Sequence, residues 1–166
     1  MRSDFVDKDI VGHVLYALTD ENRLVCEVAL ETGLRVGDIV ALKTADLCKK
    51  SFTVTEQKTK KKRRIRLREG LRQKLVKQAG RVYVFEHRTD PDRHRTRQAV
   101  YNDIKRAAKL FRVKENLTPH SLRKLYAVDL YKKSGNFEKV MQALNHNNLA
   151  VTMIYALADI LTTKKG

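Results

Sequence analysis

The sequence predicts an α+β fold, mostly helical with one small antiparallel sheet. Apolar residues recur at helical spacing through most of the chain. One stretch breaks that rhythm: Ser51–Glu56 and Arg64–Arg68 alternate residue by residue on either side of a lysine-rich segment. At 166 residues, 42% of them hydrophobic, the chain has the size and core content of one domain.

The elements follow in order. Ile10, Val14, Leu15 and Leu18 sit at helical spacing. Asp20 is placed to cap a second helix, with Leu24, Val25, Val28, Ala29 and Leu30 on its apolar side and Gly33 as its stop. A short helix follows, apolar at Val36, Ile39, Val40 and Leu42, with Asp38 facing elsewhere. The two alternating segments form a hairpin whose tip is Gln57-Lys58-Thr59-Lys60-Lys61-Lys62-Arg63. Leu71, Leu75 and Val76 suit a helix, and Val82–Phe85 a short strand. Thr89-Asp90-Pro91-Asp92 marks a loop. Thr96–Phe111 reads as a basic helix with Val100, Ile104, Ala107, Ala108 and Phe111 inward. Thr118-Pro119 starts another helix, since proline lacks only an N–H that a first turn leaves unpaired. Its apolar face is Leu122, Leu125, Tyr126 and Leu130, and Gly135-Asn136 ends it. Val140, Met141 and Leu144 form a short helix, and Val151, Ile154, Leu157, Ala158 and Leu161 a last one that runs through Ala156–Leu161. Thr162–Gly166 is a polar tail. No internal repeat or low-complexity linker divides the chain.

Thirty-five Lys and Arg against 19 Asp and Glu give a net charge of +16. Such an excess calls for a polyanionic partner, DNA first and RNA second. The basic residues do not gather on one amphipathic helix, which argues against a membrane surface. No apolar run approaches the roughly 20 residues that span a bilayer. The first residues carry no apolar signal-peptide core, and the two cysteines, Cys26 and Cys48, lie beside apolar residues as buried free thiols would. The reading is an intracellular, cytoplasmic protein associated with the nucleoid.

Candidate chemistry lies in four clusters: Arg35 after Gly33-Leu34, Lys58 in the hairpin, His120 with Arg123, and His146 followed nine positions later by Tyr155. His120 and Arg123 are three apart in a helix's first turns and share a face. Free backbone N–H groups and the helix dipole favour an anion there. Taken singly, each residue has a plainer role: a surface histidine, a core tyrosine, a solvated arginine. Together, arginines, histidines and a lysine surround a phosphate, and a tyrosine attacks one.

In that order the motifs resemble the catalytic domain of the tyrosine recombinases, the family of the phage integrases and the Xer proteins. Thr-Gly-Leu-Arg-Val-Gly-Asp-Ile-Val-Ala-Leu-Lys (32–43) resembles the family's first conserved box, and Glu-Gln-Lys-Thr-Lys (56–60) its lysine hairpin. Thr-Pro-His-Ser-Leu-Arg-Lys (118–124) matches its His-x-x-Arg, and Leu-Asn-His-Asn-Asn (144–148) its Leu-Gly-His motif. Tyr155 stands at the family's usual distance beyond. The likeness covers roughly residues 20–158.

The resemblance implies site-specific DNA recombination by transesterification, with Tyr155 as the nucleophile forming a 3′-phosphotyrosyl link. Arg35 and Arg123 would hold the non-bridging oxygens, His120 assist proton transfer, His146 donate to the phosphate and Lys58 protonate the leaving oxygen. No metal or other cofactor is implied. The implied partner is double-stranded DNA, with self-association to a dimer or tetramer on it. Lys60, Lys61, Lys62, Arg63, Arg95 and Arg97 are further candidates for DNA contact. Lys60, Lys61 and Lys62 also compete with Lys58 for the lysine role.

Asn145 departs from the family's glycine, and Asp38 stands where glutamate is common, orienting a helix or Arg35. The family's helical core-binding domain has no room in residues 1–166, which read as a single catalytic domain. Two other readings keep part of this: a non-catalytic DNA-binding module or decayed integrase, and a type IB topoisomerase or telomere resolvase.

Overall fold

A computed structural model describes residues 3–144. The expected last helix, His146 and Tyr155 lie outside these residues. Seven helices and one hairpin make up the described chain: α1 (Lys8–Tyr16), α2 (Asp20–Thr32), α3 (Val36–Val40), β1 (Phe52–Thr55), β2 (Lys62–Ile65), α4 (Glu69–Gln78), α5 (Arg97–Leu110), α6 (Pro119–Ser134) and α7 (Phe137–Leu144). A 3₁₀ turn at Thr44–Cys48 links α3 to β1. This is the mostly helical α+β fold the spacing predicts.

Helix α2 is the hub, packing against α1, α3, α4, α5 and α6. Val25, Cys26, Val28 and Ala29 on α2 meet Ile39, Leu75, Ile104 and Leu122 from its neighbours in one buried cluster. Each large aliphatic side chain removed from water there contributes about 1.5–3 kcal/mol. A smaller cluster of Ala127, Val140 and Leu144 seats α7 on α6.

Local chemistry sets the ends. Gly33 closes α2 in a left-handed conformation at φ 64°, and Gly135 closes α6 at φ 60°. Gly33 also has no room for a side chain, because a Cβ would stand 2.3 Å from Cδ1 of Tyr126. The cap of α2 is Thr19 rather than Asp20. Its backbone N–H and hydroxyl both donate to Asp103 of α5, so a tertiary contact places the helix start.

Other expectations shift for physical reasons. The second strand is Lys62–Ile65, because its register pairs Ile65 with Phe52, where β1 begins. Val82–Phe85 forms no strand. It makes only a bridge, Lys43 to Tyr83, with Val84 N–H bonded to Leu42 O. Phe111 is not inward but 46% exposed, since α5 ends at Leu110 and the chain reverses at Arg112, φ 52°. Val113 packs against the core in its stead. Cys26 is buried, whereas Cys48, at the end of the 3₁₀ turn, is exposed; both are free. Asp38 is buried rather than turned away. No helix of the described residues is long and apolar enough to cross a membrane.

Candidate active site

Three separate segments bring their cations to one place. Arg35 is the N-cap of α3, just after the left-handed Gly33. Lys58 stands exposed on the hairpin tip. His120 and Arg123 occupy the first turns of α6. The proton affinity of His120 registers the convergence. It is lowered from the ordinary histidine value by partial burial first, then by the charges of Arg123, Arg35, Lys58 and Lys124. At neutral pH His120 is therefore an uncharged imidazole at the rim of a cationic site, able to accept a proton.

Arg123 lies beneath that rim and is 1% exposed. Its guanidinium donates to Gly33 O and, at 2.6 Å, to Leu144 O. It thus ties α6 both to the α2–α3 junction and to the last residue of α7. Burial, and then the charge of Arg35, push Arg123 down to about 10, still protonated at neutral pH.

Arg35 is held by a carboxylate. Glu56, 0% exposed, accepts from Arg35 at 2.5 Å and from Arg63 at 3.4 Å. The Thr59 hydroxyl donates to the same Glu56 oxygen as Arg35 does, at 3.0 Å. This buried charge cluster joins the first box to the hairpin that carries Lys58. Asp38 makes a parallel tie, accepting the Gln57 N–H at 2.8 Å. It orients the hairpin base rather than Arg35. Among the described residues, Arg35 Nη2 and Arg123 Nε make no hydrogen bond, although both are buried. Each is a donor with capacity left for a phosphate oxygen.

The other candidates divide. Lys60, Lys61 and Lys62 are exposed around the tip, with Lys60 at φ 58°. Arg63 turns inward, donating to Thr32 O at 2.8 Å and to Glu56. Arg95 is partly buried and donates to Asn22 Oδ1 at 2.6 Å. Arg97 is exposed and lies over Gly37, beside the Gln57 side chain. His146 and Tyr155 fall outside the described residues. Among the described residues, Tyr126 lays its ring against Gly33, but burial raises its phenol pKa. That disfavours the phenolate a nucleophile requires.

Glu56 escaped sequence reasoning, yet its signal was present. It continues the inward register of Phe52 and Val54, so an acid falls at a core-facing position amid lysines. Such an acid requires buried cationic partners.

Comparison with known proteins bears on the family and the fold. The Phage integrase family matches residues 5–160. A tyrosine recombinase of Thermosipho africanus is 29% identical over 165 residues, covering 92% of this chain and 56% of that protein. The probable integrase/recombinase YoeC of Bacillus subtilis is 30% identical over 139 residues, covering 81% and 76%. Among solved structures, XerA recombinase superposes with a TM-score of 0.73 at 22% identity, over 100% of this chain and 65% of that one. A lambda integrase dimer bound to a COC′ core site gives 0.75 at 24% identity, over 92% and 48%. The chain spans about half the length of most of the curated relatives it matches. With a family match across nearly its whole length and its basic motifs gathered on the same fold, the chain belongs to the phage integrase family, the tyrosine recombinases.

Proposed function

We propose that the chain carries the catalytic centre of a site-specific DNA recombinase that cleaves and rejoins strands through a 3′-phosphotyrosyl intermediate. The observation that carries this reading is a chain of contacts: Arg123 of α6 donates to Gly33 O beside Arg35, and buried Glu56 joins Arg35 to Thr59 next to Lys58. Family membership supports it. Tyr155 Oη attacks the phosphorus, and a new P–O bond forms as the bond to the 5′ oxygen breaks. The phenolic proton passes to neutral His120. Lys58 gives a proton to the departing 5′ oxygen, which leaves as a hydroxyl. Arg35 and Arg123 hold the non-bridging oxygens, where charge grows in the transition state, and His146 donates to the same phosphate. One phosphate ester replaces another, so an incoming 5′-hydroxyl reverses the step without an external energy source.

The partner in this reading is double-stranded DNA, met in the cytoplasm at the nucleoid. Relatives of this fold include a lambda integrase tetramer bound to a Holliday junction, and the reading extends such assembly on DNA to this chain. The test is a nicked duplex that loses its 5′-hydroxyl fragment after cleavage. The wild-type protein should form a band that survives denaturation, and Tyr155→Phe should abolish it. An equal band from Tyr155→Phe would overturn the proposal.

A further inference from the structure

The hairpin has a second face, turned away from Glu56. Between Lys62 and Arg68 the chain alternates without a break: Lys62, Arg64, Arg66 and Arg68 are exposed, while Arg63, Ile65 and Leu67 point inward. Every outward position of this segment, β2 and the three residues after it, is therefore a cation. Thr55 faces Lys62 and Thr53 faces Arg64, so a column of exposed hydroxyls runs beside the column of charges. Ser51 adds a third hydroxyl, accepting from Arg64 Nε and Nη2 at 3.2 and 3.0 Å. That contact lays the Arg64 guanidinium across the strand pair. Further along, Lys50 and Arg66 line a shallow groove with Arg68, Arg72 and one carboxylate, Glu69.

Two of these cations already have partners. Arg68 pairs with Glu31 at 2.8 Å and Arg72 with Glu69 at 2.7 Å. The side chains of Lys62 and Arg66 make no hydrogen bond or ion pair among the described residues, and the Arg64 side chain bonds a neutral hydroxyl. A surplus of positive charge therefore lies along one side of the hairpin, ordered by the strand.

We infer that this outer face, centred on Lys50, Arg64 and Arg66, is a phosphate-contact surface for a DNA backbone flanking the strand that enters the active site. The inference rests on the proposed DNA-acting function. Alternate residues of an extended segment stand about 6.6–6.8 Å apart, so Lys62 to Arg66, one residue past β2, covers roughly 13 Å. At 3.4 Å per base pair that is about four base pairs of duplex. Cations and hydroxyls are the groups that hold phosphates without reading sequence, so the surface adds affinity and register rather than base preference.

The experiment compares the full chain with the Lys50→Gln/Arg64→Gln/Arg66→Gln variant. Duplex binding is followed by fluorescence anisotropy across a salt series, and covalent adduct formation is measured at saturating DNA. Each lost phosphate contact lowers the slope of log affinity against log salt by about 0.9. The variant's slope should therefore fall by about 2–3, with affinity at 0.1 M salt down roughly 10²- to 10³-fold. Its thermal midpoint and its adduct yield at saturation should match those of the wild type. Trimming the duplex by about four base pairs on the affected flank should weaken wild-type binding similarly and leave the variant unchanged. A slope unchanged in the variant overturns the inference even if the adduct forms. A reduced slope with no adduct from the wild-type protein keeps the surface and removes the proposed chemistry.

Discussion

Replacing Glu56 by Gln keeps the side chain's size and removes only its charge. In the fold that carboxylate is fully buried between Arg35 and Arg63, whose side chains are only 14% and 11% exposed. After substitution an amide N–H₂ must face one of the two guanidinium groups, and both cations lose their counter-charge. Breaking a buried ion pair by removing one partner costs about 3–5 kcal/mol. The retained amide oxygen can still accept one bond, which places the expected loss near the lower end, about 3 kcal/mol. For a domain of this length each kcal/mol shifts the thermal midpoint by about 2–4 °C, so a drop of roughly 6–12 °C is expected. Urea unfolding at fixed ionic strength reads the stability directly. Function should fall further than stability, because the hairpin that presents Lys58 is joined to Arg35 through this carboxylate. Adduct formation well below the variant's melting point should therefore decline at least tenfold. A loss under about 1 kcal/mol, with adduct formation unchanged, would refute the view that Glu56 is the counter-charge that builds the site.

Arg123→Lys keeps a positive charge but loses the fork that spans Gly33 O and Leu144 O. It should cost about 2–4 kcal/mol in denaturant unfolding and abolish adduct formation, since one buried carbonyl is left without its donor. Gly33→Ala places a methyl group in the Tyr126 ring and an L side chain in a left-handed conformation. The strain and the overlap together should cost about 2–5 kcal/mol, and shortening Tyr126 to Leu should return the overlap part but not the strain. His120 has its folded pKa lowered, so between that value and the ordinary 6.5 the unfolded chain binds more protons than the native one. Stability is then whole above about pH 6.5 and is lost as pH falls through the folded value. His120→Gln should flatten that part of the stability profile; an unchanged acid slope would contradict the lowered value.

The helical part of this fold was legible because its signals are local. Gly33, Gly135 and Pro119 mark ends by backbone geometry alone, and the structure uses all three as such. What the sequence hid was tertiary. Asp20 looked like a cap until Asp103, far along the chain, engaged Thr19 instead. Phe111 carried the right period but fell beyond the end of its helix. Of the candidate site residues, Arg35, Lys58, His120 and Arg123 were named by motif; in the fold Arg123 reaches Gly33 O beside Arg35, and Glu56 ties Arg35 to the hairpin of Lys58. Arg63 looked like one more surface cation in a basic run. Only the strand register turns it inward onto Glu56 and Thr32, while Arg64 and Arg66 on either side of Ile65 stay outside. A charge run reads alike on paper whether it is solvated or buried; the two-residue period of a strand separates the two.

The proposed chemistry requires this cationic site to serve a tyrosine that joins itself to DNA. The most direct measurement is to trap the protein on a library of nicked duplexes with randomised cores, digest the adduct, and sequence the DNA-bearing peptide by mass spectrometry. The expected result is a single linkage, through the Tyr155 oxygen to a 3′-phosphate, with a free 5′-hydroxyl on the released strand. A linkage through Tyr126 or any other residue, a bond to a 5′-phosphate, or no adduct from the wild-type chain would contradict it.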